Sequence, residues 1–181
     1  MGGEIAGKVG ALLNPDSVAI LGARENPMDW TARIFENYRR FEFDGPVWPV
    51  NPRFKEIWGV KCYAGLSDLP GVPDHLVVMR AAASVCSILR EAADMGTRSA
   101  TVYAAGYSEL GTEEGKALET ELREVIEETG LAVCGPNCLG SMSARGKSLC
   151  LPDDRIRELV RGPVAMVGQS GTTTPGIGRT L

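Results

Sequence analysis

At roughly 150 residues per domain, a chain of 181 residues holds one domain and a fraction of another. Hydrophobic residues make up 44% and charged ones 23%, the balance of a folded chain with a core rather than a disordered or fibrous one. The formal net charge of -4, from 19 basic and 23 acidic residues, argues against the basic face of a nucleic-acid binder. It leaves room for an anionic small ligand, which backbone amides at a helix start can hold without net positive charge. No run approaches the ~18 apolar residues of a membrane-spanning helix. The opening MGGEIAGKVGALL lacks the basic flank and clean apolar stretch of an export signal. The expectation is a cytoplasmic protein that engages neither membrane nor nucleic acid. Its five cysteines (Cys62, Cys86, Cys134, Cys138 and Cys150) are odd in number, and only Cys134 and Cys138 are close. With the lone histidine, His75, far from that pair, they read as free thiols and not as a metal site.

Residues 17–22 (SVAILG) predict a first strand ending on a glycine. A turn of Arg24, Glu25, Asn26 and Pro27 leads to a helix over 29–41, on which Ile34, Phe35 and Tyr38 share one face. Residues 47–50 (VWPV) form a second strand and 74–79 (DHLVVM) a third, followed by a helix over 82–95 that stops at Gly96. Residues 99–103 (SATVY) are a fourth strand. Thr112 then opens a charged helix reaching 129 and capped by Gly130, and 131–134 make a fifth strand. The glutamates of that helix read as a solvated face. His75, at the start of the third strand and away from its carboxyl end, reads as a surface or half-buried structural residue.

Short strands alternating with longer helices mean parallel βαβ units with right-handed crossovers. Strands apolar along their whole length suit a sheet covered on both faces. The expected fold class is therefore α/β: a Rossmann-like, doubly wound parallel sheet with helices on both faces. Past Gly140 the character changes. A stretch rich in Ser, Gly and Arg leads to Leu151-Pro152, a short helix over 154–160, a strand over 162–167 and a helix start at Gln169-Ser170-Gly171. This predicts a first domain over 1–145, a linker over 146–161, and over 162–181 the opening strand and helix of a second α/β domain.

In a doubly wound sheet, ligands lie beyond the carboxyl ends of the strands, which directs attention to five loops. Gly22, Ala23 and Arg24 leave the first strand; a glycine there lets backbone approach a phosphate, but the full dinucleotide fingerprint of glycines is absent. After the second strand, an NAD site requires an acidic residue for the ribose hydroxyls, and this chain offers Asn51, Arg53 and Lys55. Such a loop suits a phosphorylated ribose, whether in NADP or in coenzyme A, or is simply a solvated turn. Met79 and Arg80 leave the third strand, and Ala105 and Gly106 the fourth; small residues there make space for a ligand or for tight turns. The fifth loop, Gly135-Pro136-Asn137-Cys138-Leu139-Gly140, has a backbone path fixed by glycine and proline. No base is identifiable that would make Cys138 a nucleophile.

Taken together these loops resemble the NDP-forming acyl-CoA synthetases, the ADP-forming acetyl-CoA synthetase group, which are relatives of the succinyl-CoA synthetase alpha subunit. The likeness begins at Leu13-Asn14-Pro15-Asp16-Ser17-Val18-Ala19-Ile20-Leu21-Gly22-Ala23 and continues through Pro49-Val50-Asn51-Pro52 and Ala105-Gly106-Tyr107. Its most specific parts are Gly-Pro-Asn-Cys-x-Gly at 135–140 and Gln169-Ser170-Gly171. Arg24, Thr31 and Arg80 depart from the family pattern, which favours a small polar residue, a glycine and a proline there.

The resemblance implies a CoA-binding domain up to about residue 145 and the start of a flavodoxin-like ligase domain after it. It implies that Gly22, Ala23 and Arg24 follow the CoA pyrophosphate, with Asn51 and Arg53 near the adenosine end. Met79 and Arg80, with Ala105 and Gly106, would border the pantetheine arm, and Asn137 and Cys138 would sit near the thiol. Ser170 and Gly171 would match the helix start that faces the family's phosphohistidine. No catalytic residue is expected within the chain: His75 matches no phosphohistidine, and ATP, ADP and Mg belong to ligase and ATP-grasp domains or subunits beyond it, within an oligomer. The implied activity is acid–thiol ligation, incomplete without those partners. The rival readings are a stand-alone CoA or acyl-CoA sensing module and an NADP-type dehydrogenase domain, the latter weakened because no Tyr-Lys or His-Asp pair suggests hydride chemistry.

Overall fold

A computed structural model of the chain describes residues 2–171 and 173–178. Its centre is a sheet of five parallel strands: β1 (Val18–Leu21), β2 (Val47–Val50), β5 (His75–Val78), β6 (Ser99–Val102) and β7 (Ala132–Cys134), in the order β2-β1-β5-β6-β7. β1 pairs with β2 on one side and β5 on the other, with Val18 level with both Val47 and His75. Two small two-residue strands, β3 (Glu56–Ile57) and β4 (Val60–Lys61), form a hairpin between β2 and β5.

The period of two along each strand sorts side chains to opposite faces. Ala19, Leu21, Leu76, Val78, Ala100 and Val102 meet Val85, Leu89 and Ala92 of helix α3 (Val85–Met95) and Leu122 and Val125 of helix α4 (Glu113–Thr129). Val18, Ile20 and Val77 lie on the other face under Ile34, Phe35 and Tyr38 of helix α2 (Trp30–Arg40). Each buried Val, Leu, Ile or Phe among them contributes roughly 1.5–3 kcal/mol before entropy is counted. Helix α1 (Gly2–Leu13) packs along β6 and β7, and the antiparallel hairpin β8 (Ser141–Ser143) and β9 (Ser148–Cys150) packs on α2. The doubly wound sheet expected from the sequence is therefore present, with helices on both faces.

Helix limits follow the capping residues. Asp29 accepts from the Thr31 amide at the start of α2, Thr112 from the Gly115 amide at the start of α4, and Gly96 and Gly130 close α3 and α4 with positive φ. β1 feeds α2 on one face and β5 feeds α3 on the other, so the chain parts between β1 and β5. That is the switch point where a doubly wound sheet opens its ligand crevice.

The region after Gly140 departs from expectation. The helix expected over 154–160 does not form. The Asp153 carboxylate takes the Arg155 amide and guanidinium at 2.9–3.0 Å, and Arg40 takes the carbonyls of Asp154 and Ile156 at 3.2 and 2.7 Å. Those carbonyls are thereby spent on a side chain instead of on amides four residues on. The strand expected over 162–167 is also not formed: the segment is exposed, and without a neighbouring strand its backbone has no ladder to join. The helix start at Ser170 is found, since Ser170 Oγ accepts from the Thr173 amide at 3.1 Å ahead of helix α5 (Thr173–Gly178). His75 is not at the surface or half-buried but wholly enclosed, between Ser99 and Thr101 of the neighbouring strand.

Candidate functional site

The loops at the carboxyl edge of the sheet form two groups. The first lies at β2, β1 and β5. Gly22 has φ +87°, and a methyl group on it would strike the Met79 carbonyl, so only glycine lets the exits of β1 and β5 touch. Arg80 Cδ stands 3.5 Å from where that methyl would be, laying the arginine stem across the glycine. The amides of Gly22 and Ala23 donate to the Val50 carbonyl at 3.0 and 3.4 Å. Asn51 ties the two loops together: its Nδ2 donates to the Ala23 carbonyl at 2.8 Å, and its Oδ1 accepts the Arg53 amide at 2.9 Å. Trp58 Nε1 donates to the Arg24 carbonyl at 3.0 Å, anchoring the same loop from the β3–β4 hairpin. Asn51, which the sequence suggests as a ligand contact, thus holds the loops in place.

The helix start beyond Gly22 is less open than its sequence suggests. Asp29 takes both the amide and the hydroxyl of Thr31, at 2.9 and 2.7 Å, while Thr31 Oγ1 accepts the Arg24 amide at 3.1 Å. Asp29 also pairs with the exposed Arg24 at 3.5 Å. A carboxylate of the chain itself therefore occupies part of this anion-attracting end. Positive charge is nevertheless gathered here. Arg24, Arg53, Lys55 and Arg80 are all exposed, and among the described residues Arg53, Lys55 and Arg80 have no ion-pair partner. Met28 and Trp30, on either side of Asp29 in sequence, are exposed apolar side chains in the loop and helix start that follow Arg24. Cations with adjacent apolar surface suit a ligand that joins phosphates to an apolar body.

The second group lies at β6 and β7. The Glu109 carboxylate accepts the amides of Gly106 and Tyr107 at 2.7 and 3.0 Å. Gly135 has φ +118°, and a side chain there would meet the Val102 carbonyl. Asn137 also has positive φ (50°), with its amide donating to the Ala104 carbonyl at 2.9 Å and its side chain exposed. This turn brings Cys138 Sγ to 3.7 Å from Cys134 Sγ and 3.4 Å from the Cys134 carbonyl. A hydrogen bond shared with Cys138 lowers the Cys134 thiol to about 7 against the effect of its burial, and the same bond raises Cys138. In front of these residues is a cleft of about 690 Å³. One wall carries Ser108, Glu109 and residues 134–140, and the other Gly168, Gln169, Ser170, Gly171 and Thr174.

Gly22, Ala23, Arg24, Asn51, Arg53, Met79 and Arg80 therefore gather at the β2–β1–β5 end, while Asn137, Cys138, Ser170 and Gly171 share the cleft. Ala105 and Gly106 stand at the exit of β6, with Ser108 and Glu109 in place of them on the cleft wall. Sequence reasoning misses Asp29, Glu109 and Trp58, whose roles depend on which backbone groups they reach. It also leaves Cys134 without a role beside Cys138. No group of three or more His, Cys, Asp or Glu residues that could hold a metal ion occurs among the described residues.

The sequence profile of the CoA binding domain matches residues 16–144. The chain is 34% identical over 164 residues to the alpha subunit of acetate–CoA ligase (ADP-forming) II from Pyrococcus furiosus, covering 91% of this chain and 35% of that one. It is 36% identical over 133 residues to a trans-feruloyl-CoA synthase from an unidentified prokaryote, covering 74% of this chain and 19% of that one. Among solved structures it resembles the dinucleotide-forming acetyl-coenzyme A synthetase 1 of Candidatus Korarchaeum cryptofilum, in complex with phosphate and ADP. The TM-score is 0.83 at 29% identity, over 93% of this chain and 35% of that one. The chain thus spans about a third or less of the length of these relatives. The matched profile covers the whole parallel sheet and all five of its carboxyl-edge loops, and the chain belongs to the CoA-binding domain family.

Proposed function

We propose that the chain binds coenzyme A along the carboxyl edge of its sheet, as the CoA-binding part of an NDP-forming acyl-CoA synthetase. The observation that carries this reading is the coincidence of the matched CoA-binding region with the two site groups, a cationic rim at one end and a sulfur-lined cleft at the other. The adenosine and phosphate end of CoA is polyanionic, and Arg24, Arg53, Lys55 and Arg80 supply the complementary charge. Gly22 keeps the floor of the crevice low enough for a pyrophosphate to approach backbone, and Asn51 holds the two loops that frame it. The pantetheine arm then runs past Met79, Arg80, Ala105 and Gly106 toward Asn137 and Cys138, where its thiol reaches the cleft. In this reading the first domain covers 1–145, 146–161 links it onward, and 162–181 begins the ligase domain, with Ser170 and Gly171 at the helix start.

The overall reaction joins a carboxylic acid to CoA at the expense of ATP, giving acyl-CoA, ADP and phosphate through an acyl phosphate and a phosphohistidine. This chain's part is to hold and orient the thiol end of CoA. The phosphohistidine, the nucleotide and its Mg sit on ligase and ATP-grasp domains or subunits, in an oligomeric cytoplasmic enzyme. The names of its relatives, one an acetate–CoA ligase and one a trans-feruloyl-CoA synthase, support a reading in which the acyl group is either a short-chain or an aromatic acid.

Thermal unfolding of the purified chain with CoA and, separately, with NADP tests the reading. CoA at 100 times its dissociation constant adds about 2.7 kcal/mol of stability, and NADP adds none. Stabilisation by NADP and not by CoA would select a dehydrogenase domain instead. Turnover of acid, ATP and CoA by the chain without other domains would contradict the division of labour.

A further inference from the structure

We propose that Cys134 and Cys138 are a redox-active dithiol, which a hydroperoxide closes to a disulfide across the Gly135-Pro136-Asn137 turn. Their sulfurs are 3.7 Å apart, held so by a turn in which the Asn137 amide donates to the Ala104 carbonyl and Cys138 Sγ lies 3.7 Å from the Val102 carbonyl at the end of β6. Both residues are only half-buried and both line the 690 Å³ cleft, so a small oxidant reaches them from solvent. The other cysteines, Cys62, Cys86 and Cys150, are buried, and burial pushes each of their thiols up, Cys150 to about 11. Cys134 goes the other way, and the thiolate is the form that reacts.

The chemistry balances as a two-electron oxidation. The Cys134 thiolate attacks one oxygen of the peroxide O–O bond, which breaks to release hydroxide (or alkoxide) and leaves a sulfenic acid on Cys134. Cys138 sulfur then attacks Cys134 sulfur; the S–S bond forms, the S–O bond breaks, and the oxygen leaves as water with the proton from Cys138. The dithiol has lost two electrons and two protons, the peroxide has gained them, and a reducing dithiol reverses the change by exchange. This inference is independent of what ligand the cleft takes. Its effect there is to remove both thiols from the cleft wall and to cross-link the turn that carries Asn137.

The test uses the whole chain, treated with hydrogen peroxide, then alkylated, digested with trypsin and weighed. Both cysteines fall in the tryptic peptide 124–145, which has no Lys or Arg between them, while Cys62, Cys86 and Cys150 fall in others. The expected product is that peptide, lighter by two hydrogens and refractory to alkylation until dithiothreitol is added. Without peroxide, iodoacetamide at pH 7 labels Cys134 roughly tenfold or more faster than the other four. In Cys138→Ser, Cys134 stops at the sulfenic acid and takes a dimedone label. Equal labelling of all five cysteines, oxidation that spares peptide 124–145, or a Cys138→Ser protein that takes no dimedone would each overturn the proposal. The first two readouts need no variant and stand even if Cys138→Ser fails to fold.

Discussion

His75 makes the sharpest test of the packing, because it is the only histidine in the chain and is completely enclosed. Its Nδ1 is 2.9 Å from Ser99 Oγ and its Nε2 is 3.0 Å from Thr101 Oγ1. Ser99 Oγ donates its proton to the Asp74 carbonyl at 3.2 Å, so it accepts from Nδ1–H, which leaves Nε2 to accept from Thr101. A proton added at Nε2 meets a hydroxyl already pointing at it, in a site closed off from solvent. Cys150 Sγ, 3.8 Å from Nε2, is a weak acceptor at best. Burial therefore lowers the His75 pKa from 6.5 to about 4, against the smaller opposing pull of the Asp74 carboxylate.

The sign follows from proton counting. Between these two values the unfolded chain binds a proton at this residue and the folded chain does not, so stability falls as pH drops from 6.5 toward 4 and is unaffected by His75 above that window. A gap of about 2.5 pH units at about 1.4 kcal/mol each makes the full loss about 3–4 kcal/mol, with about 2 kcal/mol of it gone by pH 5. The assay is urea unfolding at steps from pH 7.5 to 4.5, on the natural chain and on His75→Leu. Leucine has a similar bulk and no titration, and Ser99 keeps the Asp74 carbonyl as a partner. Other groups titrate in both proteins, so the difference between them isolates His75: the natural chain loses its advantage by about 2 kcal/mol between pH 7 and 5. Parallel stability profiles, or a histidine NMR signal that titrates near 6.5 in the folded chain, would refute the enclosed neutral imidazole.

Three further outcomes are expected. Gly22→Ala forces a methyl against the Met79 carbonyl at φ +87°, which costs about 1–3 kcal/mol in urea unfolding and weakens CoA binding; an unchanged unfolding midpoint would show that the two loops do not touch. Thr112→Ala removes the 3.1 Å cap on the Gly115 amide and costs about 1 kcal/mol, read from the thermal midpoint, while CoA affinity is unchanged. Arg53→Gln combined with Arg80→Gln weakens CoA binding by roughly 2- to 5-fold and flattens its dependence on salt, both measured by calorimetry, with thermal stability intact; a salt dependence as steep as before would place the phosphates elsewhere.

The sheet is legible in the sequence because its information is local. Each strand is a short apolar run, and each following helix carries its own stop or start in Asp29, Gly96, Thr112 or Gly130. What is not legible depends on partners distant in the chain. Helix α1 contains Gly7 and Gly10, each worth about 1 kcal/mol against a helix, and forms nonetheless through its packing on β6 and β7. The hairpin β8–β9 reads as a polar linker, yet Ser148 and Cys150 are buried because Tyr38 and Tyr103, about 110 and 47 residues away in sequence, reach over to bond them. The site divides along the same line. Its loop positions follow from where strands end, so Gly22, Asn51, Met79, Gly106 and Asn137 are found where the pattern puts them. The occupants of its backbone amides do not follow: Asp29 and Glu109 are ordinary acidic residues in sequence and come to accept those amides only when their turns close. Cys134 and Cys138 show both halves at once. Their spacing of four is plain to read, but a reactive pair requires the sulfurs to face each other, and that is decided by the carbonyls of Val102 and Ala104 at and just past the end of β6, some thirty residues earlier.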